Sequence, residues 1–76
     1  MPLANEFIQH LEDIEASGQP CNIKFLADNG GVIFMKAKII ELYNGESEGY
    51  LRTDKGARIK FERLIEVDGQ PPQYLA

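Results

Sequence analysis

The feature that most constrains this chain is a change of hydrophobic period across Gly18–Pro20. Before it, Leu3, Phe7, Leu11 and Ile14 recur at helical spacing, and Ile8 widens the stripe. After it, apolar and polar residues alternate, the pattern of strands with one face buried. Asn5 is the expected N-cap, or Pro2 sits near the first turn, and Gly18 with Pro20 stops the helix. A helix of about twelve residues is marginal alone, so its stripe must pack on the strands. One domain, 1–76, is expected: helix 3–17, strand region 21–68 and tail 69–76.

Within the strand region, Cys21, Ile23, Phe25 and Ala27 share one face, and Asn22 and Lys24 the other. Asp28-Asn29-Gly30-Gly31 is a hairpin signal, because Asn and Gly accept positive φ. Val32 to Tyr43 reads as one long strand with Ile33, Met35, Ala37 and Ile39 inward and Lys36 and Lys38 outward. The alternation slips at Ile40 and Leu42, which predicts a bulge or sharp bend. A polar loop over Asn44–Gly49 leads to a strand over Tyr50–Thr53, turned back by Asp54-Lys55-Gly56. Ala57, Ile59 and Phe61 then face inward and Arg58 and Lys60 outward. A 3₁₀ turn at Glu62-Arg63-Leu64 precedes a last strand carrying Ile65 and Val67. The tail from Gly69, with Pro71 and Pro72, is expected to leave the sheet.

Strand, tight turn, strand, one cramped helical turn and strand is the succession that closes small barrels. The predicted fold class is mainly β: an N-terminal α-helix followed by a five-stranded, strongly bent Sm-like/SH3-like barrel. The helix would cover one open end. Ile23, Phe25, Met35, Ile39, Ile59, Phe61, Ile65 and Val67 would form the core beneath it.

Hydrophobic content of 43% supplies one compact core. The single cysteine, Cys21, excludes an internal disulfide and fits a reducing compartment. No secretory signal, presequence or membrane span is read, and the expected location is the cytoplasm. The net charge of −4 is concentrated in the first twenty residues, which hold Glu6, Glu12, Asp13 and Glu15 and no Lys or Arg. An acidic whole argues against non-specific nucleic-acid affinity, which rests on phosphate neutralisation.

Catalytic chemistry finds little support. His10, the only histidine, flanks the helical stripe and reads as a half-buried boundary side chain. Cys21 starts a strand on its inward face and reads as a small buried hydrophobe. Ser17 and Ser47 have only His10 to activate them. The Asp28-Asn29-Gly30 start of a calcium loop runs into Val32-Ile33-Phe34, and one Cys with one His cannot hold zinc. No metal, cofactor or enzymatic activity is expected. Pro71-Pro72-Gln73-Tyr74 matches a short WW-domain ligand pattern and is read as chance, the tail being free to pack Tyr74 and Leu75 on the strands instead. The outward cations Lys24, Lys36, Lys38, Arg58 and Lys60, edged by Tyr43 and Tyr50, form the one constellation suited to RNA. Their other reading is a solvated strand face with cross-strand pairs to Glu41, Glu62 or Glu66.

Several short stretches are similar to the Rho-binding antiterminator family, within the Sm-like barrels. These are Leu11-Glu12-Asp13-Ile14-Glu15-Ala16, Ile23-Lys24-Phe25 before the Asp28–Gly31 turn, Lys36-Ala37, Gly49-Tyr50-Leu51, Gly56 and Ile59-Lys60-Phe61-Glu62-Arg63-Leu64-Ile65. The resemblance spans about residues 11–68. It implies inhibition of a transcription terminator by protein–protein contact through an acidic surface, here Glu12, Asp13 and Glu15. The bacterial Sm-like RNA chaperone has a similar plan. Its final-strand Tyr-Lys-His signature is replaced here by Lys60-Phe61-Glu62. The expected function is a non-catalytic protein-interaction module with a transcription-related role. The alternative is an RNA-binding Sm-like protein using Lys24, Lys36, Lys38, Tyr50, Arg58 and Lys60. Open strand edges also leave room for a homo-oligomer.

Overall fold

The computed structural model describes residues 3–74. Helix α1 spans Asn5–Ser17 and is followed by strands β1 (Cys21–Leu26), β2 (Val32–Ala37), β3 (Ile39–Asn44), β4 (Gly49–Thr53) and β5 (Arg58–Lys60). A 3₁₀ turn over Phe61–Arg63 leads into β6 (Leu64–Val67). The strands form two three-stranded antiparallel sheets, ordered β2-β1-β6 and β3-β4-β5.

The five-stranded closed barrel expected from the sequence does not form: neither sheet closes, and no ladder joins one to the other. The long strand expected over Val32–Tyr43 is the cause. It breaks at Lys38, whose N–H donates to Asp54 Oδ1 at 3.0 Å and whose carbonyl accepts from the Asp54 N–H at 3.0 Å. That double tie pins the corner, so β2 pairs with β1 while β3 pairs with β4. At the other corner, β5 is only three residues long before the 3₁₀ turn redirects the chain. The helix accordingly has no barrel end to cover; it packs chiefly against β3.

The core lies between the sheets and under the helix. Leu3, Phe7 and Leu11 meet Cys21, Ile23, Ile39, Leu51, Ile59, Phe61, Leu64 and Val67 there. Burying each large apolar side chain contributes about 1.5–3 kcal/mol. The expected bulge is present: the β3–β4 register shifts between Ile39 and Glu41 and leaves Ile40 exposed. A second bulge was not anticipated. The β1–β6 register shifts between Lys24 and Phe25, so Leu64 and Val67 point inward while Ile65 is only half-buried. Met35 and Phe25, both placed in the core by alternation, are also only half-buried.

One turn has the chemistry the sequence announced, and a second, not anticipated, overturns the expected course of the tail. Gly30, at φ 87°, closes the β1–β2 hairpin, with Asn29 Oδ1 accepting from the Gly31 N–H at 2.9 Å. Asp68 and Gly69, at φ 50° and 82°, make the tight turn after β6. That turn folds the tail back instead of letting it leave. Gln70 bridges Val67, Tyr74 bridges Leu3, and the Ala4 N–H donates to the Gln73 carbonyl at 2.6 Å. Ala4 is the helix N-cap, without a side-chain cap, and Asn5 is already the first helical residue. Pro2 and Leu75, to which the sequence assigned a helix start and a packing role, lie outside the described residues.

Candidate interaction surface

The β1–β2 hairpin overhangs the core. Its register is Leu26↔Val32, Phe25↔Ile33, Lys24↔Phe34, Ile23↔Met35, Asn22↔Lys36 and Cys21↔Ala37. Near the helix the inner row is buried, as Cys21, Ile23 and Ala37 show. Toward the turn the cover thins: Phe25 packs only on the margin of the core, and its cross-strand partner Ile33 is 38% exposed although it points inward. On the outer row Leu26, Val32 and Phe34 are exposed, Phe34 by 74%. Lys24 places its Nζ 5.2 Å from the Phe34 ring centre. The hairpin thus presents apolar side chains on both faces.

β2 is also an edge strand. The Asp68 N–H donates to the Asn22 carbonyl, and the Ala27 N–H to the Gly31 carbonyl. These bonds fix the phase of the ladder. Asn22 and Lys24 turn their backbone toward β6, while Cys21, Ile23 and Phe25 turn theirs toward β2. Ile33, Met35 and Ala37 are therefore satisfied by β1. Val32, Phe34 and Lys36 point their N–H and C=O groups away from the sheet, and no described residue pairs with them. An apolar edge of this kind is a template for another strand.

The six residues proposed for RNA are not brought to one face. Lys24 and Lys36 flank Phe34 on the outside of the first sheet, and Lys38 sits at the corner. Tyr50, Arg58 and Lys60 lie on the second sheet, where Tyr50 pairs across to Lys60 and Arg52 to Arg58. The Arg58 guanidinium lies 4.3 Å from the Tyr50 ring centre, and Tyr50 stacks on Tyr43 with centroids 5.2 Å apart. Carboxylates interrupt this second face: Arg52 meets Glu41 at 3.4 Å and Arg58 meets Glu48 at 4.0 Å. Glu12, Asp13 and Glu15 lie on α1, with Glu12 and Asp13 exposed and Glu15 half-buried. Asp13 accepts from Gln9 Nε2 at 2.9 Å, and none of the three is in an ion pair with a described residue.

The reactive side chains are engaged structurally. His10 is half-buried, its Nε2–H donating to the Val67 carbonyl at 3.0 Å and its ring tilted against Phe7. Cys21 is buried and its thiol donates to the Ala37 carbonyl at 3.4 Å. Burial, with the Asp68 carboxylate adding to it, pushes that thiol from its ordinary 9.0 up to about 11. Among the described residues, no three His, Cys, Asp or Glu side chains gather as a metal site requires. A solvent-open hollow of about 610 Å³ lies between the β3–β4 loop and the tail. Glu46, Glu48, Lys60, Glu62 and Tyr74 line it, with no His or Cys among its walls. Among the described residues, no helix is long and apolar enough to cross a membrane.

Sequence reasoning missed Leu26, Val32 and Phe34. The signal was present: Phe34 is in phase with Lys36 and Lys38, which alternation places outward. Comparison of the chain with family models, with curated proteins and with solved structures finds no match.

Proposed function

We propose that this chain is a non-catalytic protein-interaction module that binds a partner strand along the open edge of β2. One observation carries the reading: Val32, Phe34 and Lys36 leave their backbone groups unpaired by any described residue, on an edge that exposes the apolar side chains of Val32, Ile33 and Phe34. Strand addition uses both properties. The backbone supplies affinity and alternate side chains supply specificity. Exposed apolar area concentrated in one hairpin is a partner signature on a protein of this size. The acidic helix offers a second contact through Glu12, Asp13 and Glu15. The resemblance to Rho-binding antiterminators supports a transcription-related role, and the single cysteine supports a cytoplasmic setting.

RNA binding is the competing reading, and the geometry disfavours it. Its six residues are divided between two sheets, and Glu41 and Glu48 neutralise the arginines beside Tyr50. A photo-crosslinking amino acid at position 34, introduced in the native cell, tests the proposal. Crosslinks to protein are expected. Crosslinks to RNA alone, or none at all, would overturn it. As a control on the competing reading, purified protein is expected to retain no single-stranded RNA even at low salt. A steeply salt-dependent affinity lost in Lys36→Glu/Lys38→Glu would instead support RNA.

A further inference from the structure

We propose that β2 pairs with the β2 of a second copy of this chain, antiparallel about a twofold axis through Phe34. The two β2-β1-β6 sheets then become one six-stranded sheet. This inference rests on β2 being a protein-binding edge and names its occupant.

The backbone fits such a partner. With Phe34 on the axis, Phe34 faces its own copy and Val32 faces the partner copy's residue 36. All three residues direct N–H and C=O outward, so each facing pair is of the hydrogen-bonded kind, giving about six N–H···O bonds. The side chains fit as well. Phe34 packs on its twin on the outer side, with Val32 against the aliphatic stem of Lys36. On the inner side Ile33 faces Met35, both incompletely covered within one copy. A slip of one residue would put the outer row of one copy on the inner side of the other and break both matches.

Charge selects the antiparallel direction. The far end of β2 carries Lys36 and then Lys38, and the near end opens from the turn that holds Asp28. The Asp28 side chain is fully exposed apart from its 3.4 Å contact with Arg63. Antiparallel pairing keeps the Lys36–Lys38 end of each copy away from that of the other and beside the Asp28–Arg63 ion pair, whereas parallel pairing would set lysines against lysines. The contact is isologous, so it closes at two copies and propagates no fibre. An edge of six residues falls in the small-interface class, below about 1,200 Å² in total, so the pair is concentration-dependent.

Sedimentation of the purified full chain over a range of concentrations reads the pairing directly: the mass is expected to double as concentration rises. Phe34→Lys is expected to stay at the single-chain mass throughout with an unchanged circular-dichroism spectrum, because Phe34 is a surface residue. A cysteine series fixes the register. Under mild oxidation Phe34→Cys is expected to form a crosslinked dimer, since facing Cα atoms about 5.5 Å apart permit a disulfide. Lys36→Cys is expected to form none. A wild-type mass that never rises, or a dimer trapped through position 36 and not 34, would overturn self-pairing. Crosslinks from position 34 to other proteins and never to itself would do so too, yet leave the edge reading standing. No protein crosslink of any kind would bring down both.

Discussion

Cys21 and Thr53 are the two side chains with polar hydrogens that the core encloses, and each sets a measurable term. The folded chain holds the Cys21 thiol at about 11, and the unfolded chain leaves it near 9.0. The protonated thiol is therefore favoured by folding. Its contribution is fully present below pH 9 and is lost as pH rises through 11, by at most about 3 kcal/mol. Denaturant melts between pH 8 and 11 should show wild-type stability falling more steeply than that of Cys21→Ala; parallel curves would contradict the burial. Thr53 Oγ1 accepts from the N–H groups of Lys55 and Ala57, both at 3.3 Å, inside the turn that Gly56 closes. Thr53→Val keeps the shape and removes the acceptor. It should cost about 1–2 kcal/mol in chemical denaturation, and a neutral result would show that water serves the turn equally well.

Among the elements, the β4 start depends on a close approach. A Cβ added at Gly49 would come within 2.6 Å of Phe61 Cε2 and 3.2 Å of the Tyr43 carbonyl oxygen. Gly49→Ala must displace a buried ring and should cost about 1–3 kcal/mol, read as a lowered denaturation midpoint. An unchanged midpoint would mean that Phe61 is loosely held. The elements themselves were largely legible in the sequence. The helix, both Gly-closed hairpin turns, the slip at Ile40 and the 3₁₀ turn all announce themselves through local spacing and turn chemistry. What local spacing could not show depends on distant partners. The break at Lys38 is made by Asp54, sixteen residues on. The inward turn of Leu64 instead of Ile65 follows from the register β6 takes on β1. The return of the tail follows from its pairing with Leu3 and Ala4.

For the whole molecule, the difference between a sealed cylinder and two open sheets decides what the surface can do. Alternation along 21–68 specifies which side of each strand is buried, and most of that reading stands: Ile23, Ile39, Ile59, Phe61 and Val67 are core residues. Alternation is silent on whether sheet edges meet. Because they do not, β2 keeps an open edge, and because the hairpin outruns the core, that edge is apolar. The basic face suffered the opposite fate, since a closed barrel would have gathered cations that two sheets keep apart. Of the acidic helix residues, Glu12 and Asp13 reach solvent as their spacing required, while Glu15 is half-buried. Residue-by-residue amide hydrogen exchange on a dilute sample tests the open edge most directly. The account predicts an alternating record along β2, with the amides of Ile33 and Met35 protected by β1 and those of Val32, Phe34 and Lys36 exchanging fast. Uniform protection of all five, or protection in the reverse phase, would contradict it.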